Sequence, residues 1–329
     1  MSKLCVVIPV FNEEENVQEL ITRLLRVFDS VPEIAGQVVF VNDGSRDGTV
    51  DLIVERCRNE PRIALIDLSR NFGHQAALSA GLAHADGDAV VTMDADLQDP
   101  PELIPDLMAR WRQGYEVVYA VRRRRKEAVL KRLAYSMFYR LQRAIAKIDL
   151  PLDAGDFCLM DRRVVEVVVS LPEYNRFLRG LRGWVGFRQT GLEYDRPARF
   201  AGETKYSWSK LLSLAVSGFV GFSTLPLRAA VWLGLLASAF GLILMVWVVA
   251  TKVFQLYAPR GWASMIAVVL FLGGVQLLVL GVMGEYLGNV YDEVRRRPVF
   301  VVRRLIGFDR DRAPTVISDR QTAGAIDDA

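Results

Sequence analysis

Asp94-Ala95-Asp96, continued by Leu97-Gln98-Asp99-Pro100-Pro101, closes the apolar run Ala89–Met93 with carboxylates. Two acidic side chains two residues apart at a strand end project to the same side. They repel each other unless a cation sits between them. Hard oxygen ligands suit Mg²⁺ or Mn²⁺, ions that keep waters and bridge to substrate phosphates. The chemistry implied is a metal-diphosphate site. Standing alone, the same residues would make a solvated acidic turn capping a helix from Pro101 to Arg110, so the surrounding elements decide.

Those elements alternate. Strands at Leu4–Val10, Gln37–Val41, Ile63–Asp67, Ala89–Met93 and Val117–Ala120 are separated by helices at Glu14–Phe28, Thr49–Cys57, Gln75–Ala83 and Glu102–Arg110. A βαβ series of this kind predicts an α/β domain with a mainly parallel sheet covered on both faces. Ligands in such folds bind beyond the carboxyl ends of the strands. The polar clusters fall there: Asn12-Glu13, Asn42-Asp43-Gly44-Ser45, Asn71-Phe72-Gly73-His74 and the Asp94/Asp96 pair follow the first four strands. The second cluster reads as a nucleotide cradle, in which Asp43 offers a carboxylate to a base N–H and Asp47-Gly48-Thr49 opens a helix with free backbone N–H groups. It is neither a Gly-x-Gly-x-x-Gly fingerprint nor a Walker A loop. His74 and His84 lack a third ligand of suitable spacing, which argues against a histidine metal site, and His74 borders the nucleotide pocket.

The 329 residues leave room for more than this domain. Ala229 to Ala250 carries no charge, and Trp262 to Gly284 has only Gln276 as a strong polar interruption, so each reaches the roughly 20 apolar residues a bilayer core requires. Lys205, Lys210 and Arg228 before them and Arg295, Arg296, Arg297, Arg303 and Arg304 after them outnumber Lys252 and Arg260 between. Both ends of the pair are therefore expected on the cytoplasmic side. No secretory signal is expected, because the apolar start is broken by Pro9 and followed by Glu13-Glu14-Glu15. Cys5, Cys57 and Cys158 show no pairing or ligand spacing and read as reduced thiols. A net charge of +3 is too small to argue for nucleic acid. The basic amphipathic stretch Lys126–Lys147 either lies on a membrane or covers the sheet, and Lys205–Arg228 reads as an interfacial helix. Asp153–Val169 reads as an irregular acidic loop feeding a strand and helix, Arg179–Tyr194 as strand or hairpin, and the tail after Asp309 as frayed.

Together these pieces resemble the family 2 glycosyltransferases, and within them the polyprenyl-phosphate sugar transferases. The resemblance is carried by Val7-Ile8-Pro9-Val10-Phe11-Asn12-Glu13-Glu14, Val41-Asn42-Asp43-Gly44-Ser45, Asn71-Phe72-Gly73, Asp94-Ala95-Asp96-Leu97-Gln98-Asp99-Pro100-Pro101-Glu102 and Gly202-Glu203-Thr204-Lys205-Tyr206-Ser207. It implies that Pro9, Glu13 and Asp43 hold the base and ribose of a nucleotide sugar, with Asp94 also on the donor side. Asp94, Asp96 and Gln98 would hold Mg²⁺ or Mn²⁺ on the diphosphate, and Arg199 and Lys205 would neutralise that leaving group. Arg122 or a neighbour, with Arg132 and Ser136, would receive the lipid phosphate. Asp156 matches the family's active-site acid, as a base or as an orienting group, and Asp96 joins it as a catalytic candidate.

The implied protein is a GT-A (Rossmann-like) cytoplasmic domain over residues 1–200, interfacial helices over 201–228, transmembrane helices at 229–253 and 262–284, and a cytoplasmic tail over 285–329. It would sit in the bacterial inner membrane and move one sugar, with inversion, from a nucleotide sugar to undecaprenyl phosphate. UDP-glucose is the first choice of donor; formamidoarabinose, N-acetylhexosamine or GDP-mannose donors are alternatives. A processive polysaccharide synthase is opposed by the absence of Gln-x-x-Arg-Trp, and a non-catalytic scaffold by the full set of ligand types. Small-residue faces at Gly234/Ser238/Gly241 and Gly273/Gly274/Gly281 permit a homo-oligomer, a tetramer among the options.

Overall fold

The computed structural model describes residues 1–122, 154–174, 176–194, 225–253 and 261–308. The chain divides into two compact units. The first is built on an eight-stranded sheet. Its elements are β1 (Ser2–Val10), α1 (Glu14–Ser30), β2 (Ile34–Asn42), α2 (Thr49–Asn59), β3 (Ile63–Leu68), α3 (His74–His84), β4 (Ala89–Thr92), a 3₁₀ turn (Pro101–Leu103), α4 (Ile104–Arg112) and β5 (Val117–Arg122). They continue with β6 (Ala154–Asp161), α5 (Arg162–Ser170), α6 (Leu178–Trp184), β7 (Gln189–Tyr194) and, much later in the chain, β8 (Val302–Ile306).

The strand order is β7-β5-β6-β4-β1-β2-β3-β8. β1 pairs parallel with β2 and β4, β2 with β3, and β5 with β7, whereas β6 runs antiparallel to β4 and β5, and β8 antiparallel to β3. The expected α/β fold with a mainly parallel sheet is what forms. Alternation along β1 divides the core. Leu4, Val6, Ile8 and Val10 join one buried cluster with Val17, Leu20, Ile21 and Leu24 of α1 and Leu107 of α4. Cys5 and Val7 join the opposite cluster with Ala77, Leu78 and Leu82 of α3 and Val164 and Val168 of α5. Successive strand side chains point to opposite faces, so a strand buried on both reads as a continuous apolar run.

The second unit contains α7 (Leu225–Val253) and α8 (Trp262–Arg295), which touch each other. Trp232, Leu236, Phe271 and Leu277 on them are 66–72% exposed. Among the described residues one segment, Phe271–Arg295, is long and apolar enough to cross a membrane.

Three expectations need correction. Residues 179–184 are helical rather than strand or hairpin, because Leu178 and Leu181 bury together against the sheet's second apolar layer. The second apolar helix continues past Gly284 to Arg295. The segment expected to be only a tail returns to the first unit as β8. Lys126–Lys147, the interfacial stretch Lys205–Thr224, the tail after Asp309, and Arg132, Ser136, Arg199 and Lys205 lie outside the described residues.

Candidate active site

The loops after β1, β2, β3 and β4 meet at one rim, as expected, and hydrogen bonds tie them together. Asn12, at φ 55°, donates its backbone N–H to Ser45 Oγ at 3.0 Å and accepts from the Arg46 N–H at 2.8 Å. Glu13 donates its backbone N–H to Thr49 Oγ1 at 2.9 Å, and its carboxylate accepts from Asn16 Nδ2 at 2.7 Å. Pro9 is buried in β1 opposite Val41. Asp43 is 4% exposed and accepts from the backbone N–H groups of Phe72 (2.7 Å) and Gly73 (3.0 Å), joining the second loop to the third. Burial raises its pKa against those bonds. Gly44, at φ +76°, takes a left-handed turn beneath Asn71, whose backbone nitrogen would lie 2.8 Å from an added Cβ.

After β4 the loop alternates in exposure. Asp94, Asp96 and Gln98 are half-buried, and Ala95, Leu97 and Asp99 between them are buried. Asp94 and Asp96 are thus both partly open to solvent. Asp96 Oδ1 accepts from the Gln98 backbone N–H at 3.2 Å. Asp99 is turned inward and accepts from Tyr194 Oη at 2.5 Å, a structural contact rather than a ligand position.

Asp156 reaches the same place from β6. Thr92 sits opposite Cys158 in the β4–β6 ladder and donates its hydroxyl to the Asp156 carbonyl at 2.5 Å, setting the acid beside the β4 end. Its carboxylate is 8% exposed and accepts a two-pronged contact from Arg179, Nε to Oδ1 at 2.7 Å and Nη2 to Oδ2 at 2.9 Å. His74 Nε2 lies 3.2 Å from Asp156 Oδ2 and 3.7 Å from Asp94 Oδ1. One potential ligand atom from each of His74, Asp94 and Asp156 falls within 4.8 Å of the others.

The electrostatics are divided between two acids. Burial raises the Asp94 pKa to about 6, and the carboxylates of Asp156, Asp99 and Asp96 add to this against the attraction of His74. For Asp156 burial is outweighed by the hydrogen bonds from His74 and Arg179, and its carboxyl is held far below the usual carboxylate range. Burial works against charge on His74 as well, but Asp156 and Asp94 together raise its pKa. Two carboxylate oxygens and an imidazole nitrogen in this space fit a divalent cation. The resemblance pointed to Asp94, Asp96 and Gln98 for that role; the structure gathers His74 and Asp156 about Asp94, with Asp96 and Gln98 following Asp94 on the same loop.

Arg179 was not foreseen as a site residue, and only its position downstream of the acidic loop could have suggested it. Arg122 ends β5, and its side chain lies outside the described residues.

A model of glycosyl transferase family 2 matches residues 5–169. A relative from Bacillus subtilis, the uncharacterized glycosyltransferase YkcC, is 46% identical over 93% of this chain and 95% of its own. The chain belongs to glycosyltransferase family 2. A prophage bactoprenol glucosyl transferase homolog of Escherichia coli is 39% identical over 92% of this chain and 99% of its own. A prophage-derived bactoprenol glucosyl transferase of Shigella flexneri is 40% identical over 92% and 98%. A second model, the GtrB C-terminal hairpin, matches residues 225–290, the span of α7 and most of α8. The protein is thus a glycosyltransferase enzyme with a GT-A, Rossmann-like domain, and its sheet carries the acidic cluster at the carboxyl ends of the strands.

Proposed function

We propose that this glycosyltransferase moves a single sugar, with inversion, from a nucleotide sugar to polyprenyl phosphate on the cytoplasmic face of a bacterial inner membrane. UDP-glucose and undecaprenyl phosphate are the substrates the reading favours. The observation that carries it is the pairing, in one chain, of the His74/Asp94/Asp156 cluster with a helix hairpin like that of the bactoprenol glucosyl transferases.

The ionic state of Asp156 fits such an acceptor. An alcohol must lose a proton as it attacks, whereas a lipid phosphate is already anionic. A carboxylate held strongly ionised by Arg179 and His74 is a poor proton acceptor, so Asp156 orients the site rather than taking a proton. With the His74 imidazole neutral and its Nε2 freed from Asp156, His74, Asp94 and Asp156 would hold Mg²⁺ or Mn²⁺, with Asp96 and Gln98 beside them and Arg179 still engaging Asp156. When bound, the cation would neutralise charge developing on the departing diphosphate. Asp43, Glu13 and Pro9 stand at the nucleoside end, Arg199 and Lys205 are assigned to the diphosphate, and Arg122, Arg132 and Ser136 to the lipid phosphate.

Topology supports two membrane crossings. β7 precedes the long helices and β8 follows them, yet both belong to one sheet, so any crossings of a bilayer between Tyr194 and Val302 would be even in number. Phe271–Arg295 suits one crossing, and α7, uncharged from Ala229 to Ala250, suits the other.

The test is to incubate the purified full-length protein with labelled UDP-sugars, Mg²⁺ and short polyprenyl phosphate, then extract into organic solvent. The reading expects one anionic, mild-acid-labile glycolipid. Polymer would select a processive synthase, and absence of product with every donor a scaffold.

A further inference from the structure

A cavity of about 600 Å³ opens at the β2–β3–β8 edge, lined by Asn12, Asn42, Ser45 and Asp67 and by two arginines from β8, Arg303 and Arg304. Neighbouring residues of a regular strand face opposite sides. Here both arginines reach one cavity, and the β3–β8 ladder shifts register between Asp67 and Leu68, the kind of irregularity that re-aims side chains.

Arg304 Nε donates to Asp67 Oδ2 at 2.9 Å, and Asp67 is 2% exposed. The other oxygen of Asp67 accepts from Asn42 Nδ2 at 2.7 Å. A carboxylate engaged by a guanidinium only accepts, so Asn42 must turn its amide nitrogen toward Asp67 and its oxygen away. That oxygen accepts from the Ser45 backbone N–H at 2.9 Å, and Ser45 Oγ in turn accepts from Asn12. The chain of contacts runs from the last strand of the sheet into the loop that carries Asp43 and Gly44. Arg303 secures the strand beside it, donating from Nη2 to the Ser69 carbonyl at 2.6 Å.

We infer that Arg304 is a positioning residue for donor binding, which acts through Asp67 and Asn42 to hold the nucleoside end of the cleft in its binding shape. This rests on the nucleotide-sugar reading above. The donor loop is thereby completed by a segment that follows the hairpin in the chain, and the Arg304 side chain, 49% exposed, remains open to whatever enters the cavity.

The experiment measures UDP binding by calorimetry, donor KM, kcat at saturating donor and the thermal midpoint, on full-length Arg304→Met and Arg304→Lys proteins. Arg304→Met is expected to weaken UDP and raise donor KM about tenfold with kcat nearly unchanged and a modest fall in the midpoint, because the buried Asp67 carboxylate loses a partner, and Arg304→Lys to recover part of the affinity. Unchanged UDP affinity in Arg304→Met would overturn the inference alone. A loss of kcat in parallel with affinity, without recovery by lysine, would also overturn it, by showing that Arg304 only secures the sheet edge. Failure of the unaltered protein to bind any nucleoside diphosphate would overturn the donor reading as well.

Discussion

Arg179 and Asp156 meet fork to fork, with both carboxylate oxygens engaged at 2.7 and 2.9 Å. Replacing Asp156 with Asn keeps the shape and removes the charge that this fork and His74 surround. Turnover is expected to fall about tenfold to a hundredfold with no change in the form of its pH profile. A far larger loss that recovers as pH rises would instead mark Asp156 as a proton acceptor. The measurement is steady-state transfer between pH 6 and 9.

Arg179→Met leaves that carboxylate nearly buried with one partner fewer. Because Arg179 itself is 37% exposed, solvent screens part of the effect. The expected destabilisation is about 1–3 kcal/mol, read from chemical denaturation.

Chelation is expected to abolish transfer, and added Mn²⁺ or Mg²⁺ to restore it. Asp96→Ala should reduce turnover roughly a hundredfold. His74→Ala should weaken Mn²⁺ binding about 10- to 100-fold by calorimetry, since the imidazole nitrogen lies within the cluster. Unaltered Mn²⁺ affinity in His74→Ala would return the ligand set to Asp94, Asp96 and Gln98.

Gly44→Ala places a Cβ at φ +76° and 2.8 Å from the Asn71 backbone nitrogen, which cannot swing away as a side chain would. A loss of about 1–3 kcal/mol in folding stability is expected, with weaker UDP binding, because the strain falls on the loop that carries Asp43.

Asp161 caps α5 by accepting from the Arg163 N–H at 3.0 Å, and its second oxygen accepts from Trp111 Nε1 at 2.9 Å. Asp161→Ala should cost about 1–2 kcal/mol. Burial opposes the charged form, but the bonds from Trp111 and Arg163 outweigh it, and the carboxyl pKa is lowered. A group lowered on folding contributes fully above its unfolded value of about 3.9, and the contribution is lost as pH falls through the lower folded value. The difference in stability between the parent and Asp161→Ala should therefore shrink below about pH 4.

Much of the first unit was legible in the sequence because β1 to β4 are buried on both faces, and such strands stand out as apolar runs ended by polar loops. The polar loop that carries Asp94 and Asp96 beyond β4 was legible for the same reason. Helix α6 was not, since Gly180 and Gly183 weaken its helical character and the burial of Leu178 and Leu181 decides the outcome. Strand β8 was hidden because Arg303-Arg304 interrupts its apolar residues and reads as a basic tail. His74 escaped because its two acidic neighbours come from the β4 loop and from β6, 82 residues further along in the case of Asp156. A ligand set gathered by topology leaves no spacing to recognise.

The place of β8 beside β3 also sets an order of assembly. A ribosome releases α7 and α8 before Val302–Ile306 emerges, so the growing sheet waits with the free backbone donors and acceptors of β3 unpaired. Chains cut short just after Arg295 should keep that bare edge permanently and cluster through it, although every residue of the acidic cluster would be present.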